Sequence, residues 1–150
     1  MKRLTTTICM VLLALSAVTG YSQNRQSVKP SLFTAFPTTI NCTEAQLSSL
    51  FTQKGTNVSL SLDNKLTLSG PVTSNLVKYH NLQTIVIKLP AFKNTLFSLS
   101  KQTDKNNNNT YVGRILNPLY ADGFELKRQA NGIYQLTKID IDKILVYCNQ

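Results

Sequence analysis

Asp140, Asp142, Glu125 and His80 are the residues of this chain whose types suit acid–base chemistry. Two carboxylates two positions apart share one face of a strand. Paired acids, or an acid with an imidazole, can move protons or bind a cation. Convergence of these groups on one concave site would make a small hydrolase of glycans or peptides. Their sequence surroundings favour a plainer reading. Lys138 and Lys143 flank the aspartates and suit surface ion pairing, and Tyr79, Ser74 and Asn75 near His80 offer no triad order. The chain also lacks a Gly-x-Ser-x-Gly elbow and a glycine-rich phosphate loop. The sequence therefore reads as non-catalytic, with no cofactor.

Two further patterns could hold a metal ion. Asp104-x-Asn106-x-Asn108 has the alternating oxygens that open a calcium loop, but Asn109 stands where the turn glycine belongs and Ile115 where a bidentate glutamate belongs. An asparagine-rich hairpin tip is the better reading. Cys42, Cys148 and the distant His80 make no ligand cluster. In an exported chain, Cys42 and Cys148 read instead as a disulfide tying the first element to the last.

Export itself is read from residues 1–22. Lys2 and Arg3 precede an apolar run over 8–18, and small or turn-prone Thr19, Gly20 and Ser22 follow. The run of about 11 residues is short against the roughly 20 that span a bilayer. A cleaved secretory leader ending after Ser22 is expected, delivering the chain to the periplasm or the exterior with no membrane span. Cys9 leaves with it. Residues 23–40 then form an extended or disordered lead-in, and 41–150 a single domain.

The chain carries 16 basic and 7 acidic side chains. Without Lys2 and Arg3 the net charge is still +7. Such a balance favours anionic partners, yet the cations are spread evenly, and export argues against nucleic acid. A basic module for anionic surface polymers requires Arg114, Lys127 and Lys138 to share a face.

The elements that must position these groups follow from periodicity. Thr43 and Gln46 fit a capping box, and Ala45, Leu47, Leu50 and Phe51 fall on one face, predicting a helix over 43–54 that lies against a sheet. From Asn57 the period becomes 2: Val58, Leu60 and Leu62, then Leu66 and Leu68, make a hairpin about Asp63-Asn64 that ends at Gly70-Pro71. Residues 71–81 are a loop or a short helical turn. Residues 84–89 read as a deeply buried strand, 96–103 and 110–116 as a pair, and 124–129 and 133–139 as a hairpin about Ala130-Asn131-Gly132. A final strand is expected over 144–148. The sum is an α+β fold, with one N-terminal helix packed on a twisted antiparallel meander of about six to eight strands. Its loop of Asn117, Pro118, Leu119, Tyr120 and Asp122 is the candidate recognition tip. The expected function is binding to another envelope or extracellular protein.

Overall fold

The structure, a computed structural model, describes residues 28–62 and 66–147, with side chains placed through 144. The leader expected at 1–22, the Asp63-Asn64 turn and Cys148 lie outside the described residues. The protein is mostly β. Strands β1 (Thr39–Cys42), β2 (Asn57–Leu62), β3 (Leu66–Lys78), β4 (Leu82–Leu89), β5 (Thr95–Thr103), β6 (Asn109–Leu116), β7 (Asp122–Arg128) and β8 (Tyr134–Asp140) form one sheet in the order β1-β8-β7-β6-β5-β4-β3-β2. Every pairing is antiparallel. Two short helices, α1 (Glu44–Thr52) and α2 (Ile141–Tyr147), accompany the sheet, with a single 3-10 turn at Pro90–Phe92.

Alternation decides which side chains go inside. Ile40 and Cys42, Val58, Leu60 and Leu62, Leu66 and Leu68, Ile85, Ile87 and Leu89, Phe97 and Leu99, and Leu126 and Leu136 all point to the inner face and are buried in one cluster. Tyr111 and Tyr134 join it edge to face, 5.6 Å apart, and the Tyr134 hydroxyl accepts the Tyr111 N–H at 3.2 Å. Tyr111 and Tyr134 therefore build the core. Gly132, at φ 81, makes the β7–β8 turn expected from Asn-Gly.

Helix α1 starts with the capping box read from the sequence. Thr43 Oγ1 accepts the Gln46 N–H, and Gln46 Oε1 accepts the Thr43 N–H at 2.8 Å. Leu47 and Leu50 are buried in the core cluster. The helix has a second task that its apolar spacing does not announce. Gln53 Oε1 accepts the Ser59 N–H and its Nε2 donates to the Ser59 carbonyl, both at 3.1 Å, while Gln46 Nε2 donates to the Ser61 carbonyl at 2.9 Å. These amides occupy the outer edge of β2 as a neighbouring strand would, blunting an edge that otherwise invites pairing.

Four sequence expectations are corrected. The lead-in ends earlier than 40, because Thr39 to Cys42 form β1 against β8; four residues are too few for a period to show. Residues 71–78 are neither loop nor helix but continue β3, paired with β4 beyond a bulge between Val72 and Ser74. The passage is possible because Gly70 has no Cβ, which would collide with the Lys88 carbonyl oxygen. Over 144–147, the described part of the expected final strand, the chain is instead helix α2, so two helices, not one, stand among the described residues. Asp140 ends β8 and caps that helix: its Oδ1 accepts the N–H groups of Asp142 and Lys143 at 3.1 and 3.3 Å.

From Val28 onward the described part of the lead-in forms a strap that closes one end of the inner face. Phe33 is fully buried and packs on Phe124 at 5.2 Å, Phe92 at 5.5 Å and Phe36 at 6.0 Å. Asp122, itself only 8% exposed, accepts the N–H groups of Leu32 and Phe33. Lys138 Nζ donates to the carbonyls of Phe33 at 2.7 Å and Phe36 at 2.9 Å and lies 6.0 Å above the Phe124 ring. Removing the Asp122 carboxylate leaves two N–H groups without their charged acceptor, at a cost of about 2–3 kcal/mol. Asp122→Ala should lower stability to urea by that amount. Asp122→Asn, which keeps one acceptor oxygen, should cost less, and Phe33→Ala about 3–5 kcal/mol. A wild-type urea midpoint in Asp122→Ala would show the strap to be held by packing alone.

Candidate binding face

The outer face of the sheet between β4 and β7 is open. Paired residues share a face, so the registers Val86↔Ser98, Ser98↔Arg114, Ser100↔Val112, Leu96↔Leu116 and Arg114↔Glu125 place all of these side chains outward together. They line a shallow groove of about 770 Å³ with Pro118 at one end and Lys127 at the other. Leu96 is 45% and Val112 59% exposed. The floor is Ser98, Ser100 and the backbone of Gly113, whose side-chain position faces inward, where an added Cβ would crowd Leu99 and Phe97. Neither helix nor strap covers it among the described residues.

At the Lys127 end the groove carries charge. Glu125 Oε1 accepts from Arg114 Nη2 at 2.7 Å and Nε at 3.1 Å, and Glu125 Oε2 meets Lys127 Nζ at 2.6 Å. Lys127 first, and Arg114 with it, hold the Glu125 carboxyl below its ordinary value. One carboxylate faces two cations, so the rim keeps a positive excess. The Arg114 and Lys127 side chains remain 49% and 61% exposed, free to meet a further acidic group.

The residues singled out from sequence fall elsewhere or serve the fold. Asp142 pairs with Lys29 at 2.7 Å, and Asp140 with Lys143 at 3.3 Å. His80 sits in the exposed turn between β3 and β4. Asp140 lies at the other end of the strands, and four interstrand steps of about 4.8 Å separate β4 from β8. The structure does not bring His80 to the aspartates. Glu125 stands apart from both, between its two cations. Lys138, grouped from sequence with Arg114 and Lys127, points to the opposite face and holds the strap.

The loop after β6 divides. Asn117 is 7% exposed, donates to the Lys93 carbonyl and Thr95 Oγ1, both at 3.3 Å, and accepts the Leu119 N–H at 3.1 Å. Asp122 is the strap's anchor. Tyr120 N–H closes the turn on the Asn117 carbonyl at 3.0 Å. Pro118 and Leu119 are exposed, the latter 73%, the Tyr120 side chain is half-buried, and Pro118 stands at the end of the groove. Asp104 is likewise spent on its own turn, its Oδ1 accepting the N–H groups of Asn106 at 2.8 Å and Asn108 at 2.9 Å. Alternation on a single face does not reveal the groove residues. The signal was present as apolar doublets: Leu96-Phe97, Tyr111-Val112, Ile115-Leu116 and the triplet Ile85-Val86-Ile87 put apolar side chains on both faces.

Cys42 is a free thiol among the described residues, 2% exposed, and burial pushes its pKa up to about 11. It sits opposite Tyr134, at the end of β8 remote from α2. Among the described residues no three His, Cys, Asp or Glu gather as metal ligands, and no helix is long and apolar enough to cross a membrane. Comparison with protein-family models, characterised proteins and solved structures finds no match.

A lowered folded pKa means that the Glu125 contribution is present above the ordinary value of 4.5 and is lost as pH falls through the folded value. Glu125→Gln should therefore flatten the acid limb of stability against pH. A slope should persist from Asp104 and Asp140, whose carboxyls are also held low by backbone N–H groups. An unchanged acid limb would show Glu125 to be uncoupled. For Cys42, thiolate scarcity and burial predict alkylation by iodoacetamide at pH 8 at least roughly a hundredfold slower than free cysteine in the folded protein, and fast labelling in urea without reductant would show the thiol unbridged. Absence of labelling in urea until reductant is added would instead establish the bridge to Cys148.

Proposed function

We propose that this protein is a small non-catalytic binding domain of the bacterial envelope or extracellular space, exported by a cleaved leader, and that the outer groove is its binding face. The observation that carries this reading is the groove itself. A sheet face lined by Val86, Leu96, Val112 and Leu116, with Pro118 at its end and nothing over it among the described residues, exposes apolar surface at a cost to solubility. The positive excess of Arg114 and Lys127 over Glu125 states the partner's chemistry. The partner is another protein presenting apolar side chains beside an acidic group, because a single carboxylate entering there completes the second charge pair. Ser98 and Ser100 supply hydroxyls for the partner's polar atoms between the apolar anchors. Glu125, the carboxylate lining the groove, is engaged by Arg114 and Lys127, which makes it a weak base.

A photoreactive residue at Val112 in cells tests this. It should yield one dominant protein adduct, absent when the same residue is placed at Ser59 on β2. Adding Leu96→Asp, an exposed substitution that leaves the core intact, should reduce that adduct at least tenfold. A monomer with no adduct at Val112, together with turnover of glycan or peptide substrates, would remove the reading.

A further inference from the structure

The sheet has one long edge that nothing covers among the described residues, and it is not the groove. Strand β2 pairs with β3 only from Leu66 to Pro71, and the Val72 N–H still reaches the Thr56 carbonyl at 2.7 Å. From Thr73 to Lys78, β3 has β4 on one side and solvent on the other. All six residues are exposed. The ladder shows which main-chain groups are left open. The Asn81 carbonyl accepts the Thr103 N–H at 2.9 Å, so odd-numbered residues of β4 bond β5 and even-numbered ones bond β3. Val86, Thr84 and Leu82 therefore take Ser74, Leu76 and Lys78 as their hydrogen-bonded partners. Asn75 and Val77 turn their N–H and C=O groups outward.

The other edge near it is handled differently. On β2 the outward N–H and C=O of Ser59 are occupied by Gln53, and the Ser61 carbonyl by Gln46. On β3 no glutamine, proline or inward charge blunts Asn75 to Val77. Leu76 and Val77, on opposite faces, are 57% and 65% exposed, and Tyr79 beyond them is 69% exposed.

The geometry points to this arm as a strand-addition site: an extended segment of a partner protein, apolar at alternate positions and acidic near one end, pairs with Thr73–Lys78 as the next strand of the sheet. Backbone pairing fixes the occupant as an extended peptide, since Asn75 and Val77 need matching donors and acceptors. Side chains on its two faces would cover Leu76 and Val77. Charge completes the description. Residues 66–89 contain Lys78 and Lys88 and no aspartate or glutamate, so an acidic strand is attracted, whereas a second copy of this basic chain brings no compensating charge. Insertion of the tip into a lipid surface would be favoured by Leu76, Val77 and Tyr79, but it would carry the open N–H and C=O groups of Val77 into a medium that cannot bond them.

A nine-residue synthetic peptide of alternating valine and threonine with a glutamate at each end probes the site on the whole exported chain. Amide hydrogen exchange should slow at least tenfold at Asn75 and Val77 on saturation with peptide, with the groove amides unaffected. Asn75→Pro removes an outward N–H without touching the β4 ladder and should abolish the protection. Val77→Asp, which keeps the backbone and repels the peptide's acids, should weaken binding at least tenfold and serves if the proline variant unfolds. Unchanged exchange at saturating peptide would overturn the proposal. So would a concentration-dependent dimer that protects the same amides, which assigns the edge to a second copy, or cosedimentation with phosphatidylglycerol vesicles in the absence of peptide protection.

Discussion

Asp122 and Lys138 hold the strap across one end of the sheet, and the closed core depends on that hold. A curling antiparallel sheet buries one face only if its open end is stopped. Here the stopper is Phe33, a fully buried ring with Phe36, Phe92 and Phe124 about it. A segment with two prolines and no periodicity would not stay there by packing alone, because its backbone groups need partners once water is excluded. A carboxylate for its N–H groups and an ammonium for its carbonyls supply them. Two charges that look like surface groups in the sequence thus act as the lead-in's missing ladder.

The same accounting explains how the sheet's edges differ. Edge backbone must be bonded, blunted or used. Gln46 in the first turn of α1 and Gln53 just after its last residue look like solvent-facing polar groups, yet their amides bond the edge of β2. Asp140 is spent on the first turn of α2, and Asp104 on the β5–β6 turn. Most carboxylates whose spacing suggested chemistry are therefore committed to backbone N–H groups or to neighbouring cations. The polar atoms left over, with their apolar neighbours, mark where the molecule has capacity for a partner.

What was legible in the sequence was local. The capping box of Thr43 and Gln46, the alternation in β2, β5, β6 and β7, and the Asn131-Gly132 turn each depend on residues a few positions apart. They appear with boundaries within one to three residues of those expected. The misread segments are those with a weak or conflicting local signal. β1 is too short to show a period. The second half of β3 has no buried alternation because both its faces are solvated. Residues 144–147 hold Ile144-Leu145-Val146-Tyr147, β-prone types that nevertheless continue a helix begun at Ile141 behind the Asp140 cap.

The sequence by itself determined the predominance of strands, the hairpins between neighbouring ones and many of the side chains that turn inward, because a period of two and a turn type are properties of neighbouring residues. Tertiary structure alone decided which carboxylates are structural and which apolar residues gather outside. Asp122 finds Leu32 and Phe33 across 90 and 89 residues of chain, and Val86, Leu96, Val112 and Leu116 meet only through the two registers that join β4, β5 and β6. Registers and long-range closures are set by how the whole sheet pairs and curls, a condition that no short window of residues contains.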